Sequence, residues 1–167
     1  MIGANVFDKI DGVLTTVFKW ICVTLFAALT LIITANIFLR YVPIGSMNWM
    51  EEIVELSFAW MVFFGAAAVW IAKGHFSAGD WIGKRLKNPR LRAAYRLLVD
   101  VVAAGFIAVF FWYSMELVNR ALEVTNVIQF PKKITYISMP ISSGIMALYS
   151  LKFIVLGVID VVRPKEA

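Results

Sequence analysis

Apolar residues in this chain come in long uncharged runs, and the charged residues gather at the edges of those runs. Trp20 to Leu39 is twenty residues without a charge, Leu56 to Ala72 seventeen and Ile134 to Leu151 eighteen. A fourth run, about Leu97 to Met115, holds one ionisable residue, Asp100. A helix of about 20 apolar residues is about 30 Å long, the thickness of a bilayer's hydrocarbon core. The pattern therefore predicts an all-α integral membrane protein with four transmembrane helices, over about 20–39, 53–72, 97–115 and 134–156. Ahead of the first, Val6, Ile10, Val13, Leu14 and Val17 recur at helical spacing with Asp8, Lys9, Asp11 and Lys19 mostly between them. That spacing predicts an amphipathic interfacial helix over about 5–18. A cleavable signal is not expected, because acids rather than a basic start precede a run of full spanning length.

The connections carry the breakers. Pro43 and Gly45 forbid a helix continuing from Arg40-Tyr41 into the second span, and Asn48 reads as an N-cap with Glu51 three residues on, the spacing of a capping box. Glu51, Glu52 and Glu55 fall within an arc of about 100° on one helix face. Such close like charges call for a cation, and Arg40, at the end of the first span, is the internal candidate; a partner protein is the other. Asn36, one turn earlier, is a polar amide in an apolar span, with local backbone bonding and a hydrogen bond to a neighbouring helix as its two readings. Gly65-Ala66-Ala67-Ala68 is a small-residue patch for close helix approach, and the aromatics Trp60, Phe63, Phe64 and Trp70 read as bulk.

Residues 73–96 form a basic connection in which Trp81, Ile82 and Leu86 alternate with Lys84, Arg85 and Lys87, as in an interfacial segment on anionic headgroups. Asp100 lies one turn from Arg96, and Glu116, Arg120 and Glu123 continue helical spacing past the third span, predicting a helix that protrudes until Pro131. Pro140 is placed to kink the last span, whose Ser142, Ser143, Gly144 and Ala147 make a small face. Basic residues concentrate at the N-terminus, in the 73–96 connection and at the C-terminus, so both termini are expected in the cytoplasm and the glutamates at the outer face.

Composition agrees with this picture: 61% of the 167 residues are hydrophobic and 16% charged, against about 45–50% and 25% in soluble domains. A single membrane domain over 1–167 is expected. The net charge of +5 sits beside apolar runs, so lipid headgroups rather than nucleic acid are its expected partners. The one cysteine, Cys22, reads as a small core hydrophobe, and the one histidine, His75, is in a connection, which leaves no pair of axial haem ligands in the spans. No metal-ligand spacing, glycine-rich phosphate loop or serine–histidine–acid set appears, so neither an enzyme nor a cofactor is expected. Inverted repeats with broken helices, common in self-sufficient ion-coupled transporters, are also missing, which favours a scaffold or accessory subunit.

Several of these residues, taken in order, resemble the small membrane subunit of tripartite ATP-independent periplasmic (TRAP) transporters, and the resemblance covers nearly the whole chain. They are Asn36 and Arg40-Tyr41, then Trp49-Met50-Glu51-Glu52, Gly65, the stretch from His75 to Asp80, and Met139-Pro140 with Gly144. Asp80 stands five residues after His75, where the family spacing is four. The resemblance implies an inner-membrane partner, a large multi-span subunit that holds the substrate and sodium sites and moves as an elevator braced by this chain. It also implies a periplasmic binding protein that delivers an organic acid, often a dicarboxylate or sialic acid. Asn36, Arg40, Tyr41, Trp49, Glu51, Glu52, Glu55 and Gly65 are then the partner-facing or structural set. The competing reading is a small proton-coupled efflux transporter acting as an oligomer, with Asp100 as its essential carboxylate. A lipid-binding or assembly factor, resting on the basic connection alone, is a third.

Overall fold

The structure, a computed structural model, describes residues 2–41, 49–72, 85 and 88–162. The described residues form helix α1 (Ile2–Tyr41), α2 (Trp49–Ile71), α3 (Pro89–Arg120), the single turn α4 (Lys133–Tyr136) and α5 (Ser138–Val162). Four stretches, Asp11–Tyr41, Trp49–Ile71, Pro89–Arg120 and Lys133–Val162, are long and apolar enough to cross a membrane. The turn at 42–47, the Asn48 cap, His75, Asp80, Trp81, Lys84 and Lys87 lie outside the described residues.

α1 runs unbroken for 40 residues, about 60 Å, and so carries the amphipathic N-terminal stretch and the first span as one rod. No proline or paired glycines interrupt that sequence, and the hydrogen-bond ladder has no reason to stop at Lys19. α3 also begins earlier than the hydrophobic run suggests. The side chain of Asn88 accepts the Arg90 N–H at 3.0 Å, and Pro89 occupies the first turn, where its missing N–H costs nothing. Residues 89–96 of the basic connection are thus helix.

The last span breaks at Ile137, between α4 and α5. Pro140 explains the position: it cannot donate to the carbonyl of residue 136, and its ring crowds that carbonyl. The indole N–H of Trp60 on α2 donates to the carbonyl of Ile134 beside the break, at 3.2 Å.

At backbone level the helices stand in a row. α1 packs on α2, α2 on α5 and α5 on α3, and no other pair of the long helices approaches as closely. The buried core gathers Phe18 of α1, Ala67, Trp70 and Ile71 of α2, Ile107 of α3, and Met146 and Phe153 of α5. Small residues set the closeness of the α3–α5 pair: a side chain at Gly144 would meet the Phe111 ring at 3.3 Å, and one at Gly157 would meet Leu97 at 3.1 Å. Between α1 and α2 the contact is looser, with Cys22 Sγ bonding the Met61 carbonyl at 3.4 Å and lying 3.7 Å from the position a Gly65 side chain would take. Trp70 Nε1 donates to Ser150 Oγ at 3.1 Å, and that hydroxyl donates onward to the Met146 carbonyl at 2.8 Å.

Candidate functional site

The acidic start of α2 faces a ribbon that hydrophobic periodicity does not announce. α3 ends at Arg120, which pairs with Glu116 one turn back, and the chain then leaves the helix. Residues 121–132 fold back on themselves: Val124 and Pro131 pair antiparallel, Thr125 N–H donates to the Phe130 carbonyl, and Lys132 N–H donates to the Glu123 carbonyl, each at 2.9 Å. Gln129, at φ 58°, supplies the left-handed residue that the reversal requires. The helix expected to protrude as far as Pro131 therefore stops at Arg120. Val124, Thr125, Val127 and Ile128 are β-branched and favour extended backbone over helix.

Glu52 holds the tip of this ribbon. Its two carboxylate oxygens accept the backbone N–H groups of Val127 at 2.6 Å and Ile128 at 2.9 Å. Successive amides at a turn form a concave anion site, and here the anion is a side chain of the same protein. Glu123 pairs with Lys132 at 3.4 Å, not with Arg120. The Glu123 carboxylate raises the Lys132 pKa above its ordinary value, and the charge of Glu55 adds a smaller push in the same direction. Glu52 thus binds the ribbon, whereas the sequence offered Arg40 or a partner protein as the counter-charge of the glutamates. Arg40 is exposed near the end of α1, and among the described residues no ion pair joins it to either glutamate.

The remaining sequence-predicted positions scatter around this end. Trp49, Glu51 and Glu55 are exposed on α2, Asn36 and Tyr41 are exposed on α1, and Gly65 sits farther along α2 against Cys22. Arg85 is exposed, and Asp100 is half-buried on α3. Among the described residues, no three of His, Cys, Asp and Glu come together as a metal site would require.

A second polar cluster joins the opposite ends of the chain. Tyr149 donates its hydroxyl to Asp11 Oδ1 at 2.7 Å, and Lys152 forms an ion pair with Asp11 Oδ2. The ammonium also lies 5.3 Å from the centre of the Tyr149 ring. Sequence reading offers only one hint of this link: Asp11 and Lys152 both flank apolar runs at the end where the termini are expected.

Comparison with known proteins locates this arrangement. The family model for the DctQ component of tripartite ATP-independent periplasmic transporters matches residues 29–159, from within α1 to near the end of α5. The chain belongs to this DctQ family. It is 24% identical over 144 residues to the C4-dicarboxylate TRAP transporter small permease protein DctQ of Vibrio cholerae, a match covering 83% of this chain and 61% of that protein. It is 28% identical over 134 residues to the isethionate TRAP transporter permease protein DctMQ of Oleidesulfovibrio alaskensis, covering 75% of this chain and 21% of that one. A protein of Sinorhizobium fredii named uncharacterized protein y4mM is 27% identical over 127 residues, 74% of this chain and 23% of its own length. The chain thus spans less than two thirds of each of these relatives. For a DctQ-family chain, the matched region includes the Glu52 ribbon and excludes the Asp11 end of the second cluster.

Proposed function

We propose that this chain is the small accessory subunit of a sodium-driven, binding-protein-dependent TRAP transporter for an organic acid, such as a C4-dicarboxylate or sialic acid. It braces a large transport subunit in the inner membrane, with both termini cytoplasmic, and a periplasmic binding protein supplies the substrate. The family match over residues 29–159 carries this reading. The row of helices supports it, because a row leaves two broad flanks for a partner where a closed bundle would hide them. On one edge of the row, Asn36, Arg40 and Tyr41 stand exposed at the end of α1, with Trp49, Glu51 and Glu55 exposed on α2. Among the described residues no side-chain hydrogen bond joins the Asn36 amide to another helix, and a polar amide in an apolar span favours a polar partner from another membrane helix, so these residues form the proposed contact with the large subunit.

The test is co-expression with a tagged large permease subunit, followed by co-purification and reconstitution with a binding protein under a sodium gradient. Uptake is expected only when both membrane subunits are present. Glu52→Lys is expected to impair uptake or assembly. If the purified chain alone moved substrate in liposomes, and Asp100→Asn abolished that movement, the efflux reading would replace this one.

A further inference from the structure

The start of the last span is joined only loosely to the helix it continues into. α4 ends at Tyr136 and α5 begins at Ser138, so the helical ladder is interrupted at Ile137. Pro140 has no N–H to give the Tyr136 carbonyl. The Thr135 carbonyl takes the Ser138 hydroxyl at 2.7 Å, and the Ile134 carbonyl takes the Trp60 indole N–H, which comes from α2. Where the ladder resumes, the bond from Ile141 N–H to the Ile137 carbonyl is long, at 3.3 Å.

α2 grips the same segment at two points. Glu52 accepts the Val127 and Ile128 N–H groups, and Trp60 donates to Ile134; the two side chains stand about 12 Å apart along the α2 axis. α4 also packs on α2 more extensively than on α3 or α5. At its other end the segment leaves α3 through Ala121, whose backbone is extended at ψ 102°. Residues 121–136 are thus bounded by two non-helical joints and held between them by side chains of a third helix. Beyond Pro140 the attachments change. There α5 is seated closely on α3, at Gly144 against Phe111 and at Gly157 against Leu97, and it meets α2 through the bond from Trp70 to Ser150.

We infer that residues 121–136 form a strap that moves with α2, on a hinge at Ile137–Pro140. A displacement of the start of α2 is carried into the ribbon through Glu52 and Trp60, while α5 beyond Pro140 keeps its packing on α3. The bend is absorbed where the backbone has the fewest hydrogen bonds to lose, and the Trp70–Ser150 bond marks the point about which α2 turns against α5. The strap rests on contacts within this chain, whatever the chain transports or assembles with.

The test uses the full chain with Cys22→Ser in lipid nanodiscs. Spin labels are placed at Lys133→Cys together with either Phe58→Cys on α2 or Leu148→Cys on α5, all three exposed positions. The distance distribution from 133 to 58 is expected to be narrow, and that from 133 to 148 roughly twice as wide. Pro140→Ala, which restores a donor for the Tyr136 carbonyl, is expected to narrow the 133–148 distribution to the width of the other. Glu52→Ala combined with Trp60→Phe is expected to widen the 133–58 distribution. A 133–148 distribution already as narrow as the 133–58 one without these further substitutions would overturn the hinge, and that comparison needs neither variant to fold. A 133–148 width unmoved by Pro140→Ala would also overturn it. A 133–58 distribution unchanged by the double substitution would overturn the hold of α2 on the strap.

Discussion

At the scale of single residues, Glu52 has a role that its charge alone does not reveal. A carboxylate in the first turn of a helix is stabilised by the helix dipole whatever else it touches, so capping would have been a sufficient account. The structure spends this carboxylate on two amides about 75 residues away in the chain. Removing it leaves both N–H groups without their acceptor while hardly disturbing the core. Glu52→Ala is therefore expected to speed hydrogen exchange at Val127 and Ile128 several-fold, and Glu52→Gln, which keeps one acceptor oxygen, to speed it less. Unchanged exchange in Glu52→Ala would show that the ribbon holds its shape unaided. Lys132, with its raised pKa, keeps its charge across the neutral range. Its contribution to the contact is complete below the ordinary lysine value of 10.5 and fades only as pH climbs through the raised one.

At the scale of elements, the helix pairs differ in how closely they approach. α3 and α5 meet at Gly144 and Gly157, and at Gly157 the opposing atoms include the Leu97 side chain at 3.1 Å and its Cα at 3.8 Å. A bulky residue there must push two helix backbones apart. Gly157→Leu is expected to cost about 1–3 kcal/mol in a denaturation series, the usual range for overpacking. Gly65→Ala, which meets only Cys22 Sγ at ordinary van der Waals distance, is expected to be neutral or stabilising because alanine favours helix by up to about 1 kcal/mol. Equal losses at the two positions would contradict this account. The same comparison limits the meaning of the glycine motif in the second span, since Gly65 is not the tightest contact in the molecule.

At the scale of the whole molecule, a row of helices poses a mechanical problem that a closed bundle does not. α1 is about 60 Å long and touches the row mainly through α2, so a small change in crossing angle would swing its far end widely. The link from Asp11 to Tyr149 and Lys152 fastens α1 to α5 at one end, across a gap that only long side chains bridge. The pair is partly exposed, so Asp11→Asn or Lys152→Met is expected to cost on the order of 1 kcal/mol or less. Its geometric effect should be larger: the distance distribution between spin labels on α1 and α5 near this end is expected to broaden in either variant. A distribution as narrow as that of the unaltered protein would assign the orientation of α1 to its packing on α2 alone.

The sequence by itself determined the four spanning helices, because an apolar run of spanning length is a local property and lipid leaves the backbone no alternative to a helix. It also determined the Glu116–Arg120 pair and the break near Pro140, both of which depend on residues within one turn of each other. The early start of α3 was legible too, in Asn88-Pro89, but hydropathy masks it because the first helical turns are basic. Tertiary structure alone decided the order of helices in the row, the ribbon and the partners of the glutamates. Glu52 could be matched to Arg40 by charge, yet its acceptors went to neutral amides, and backbone N–H groups carry no signature in sequence. Asp11 and Lys152, 141 residues apart, could be joined only once the fold had brought the two ends of the chain together.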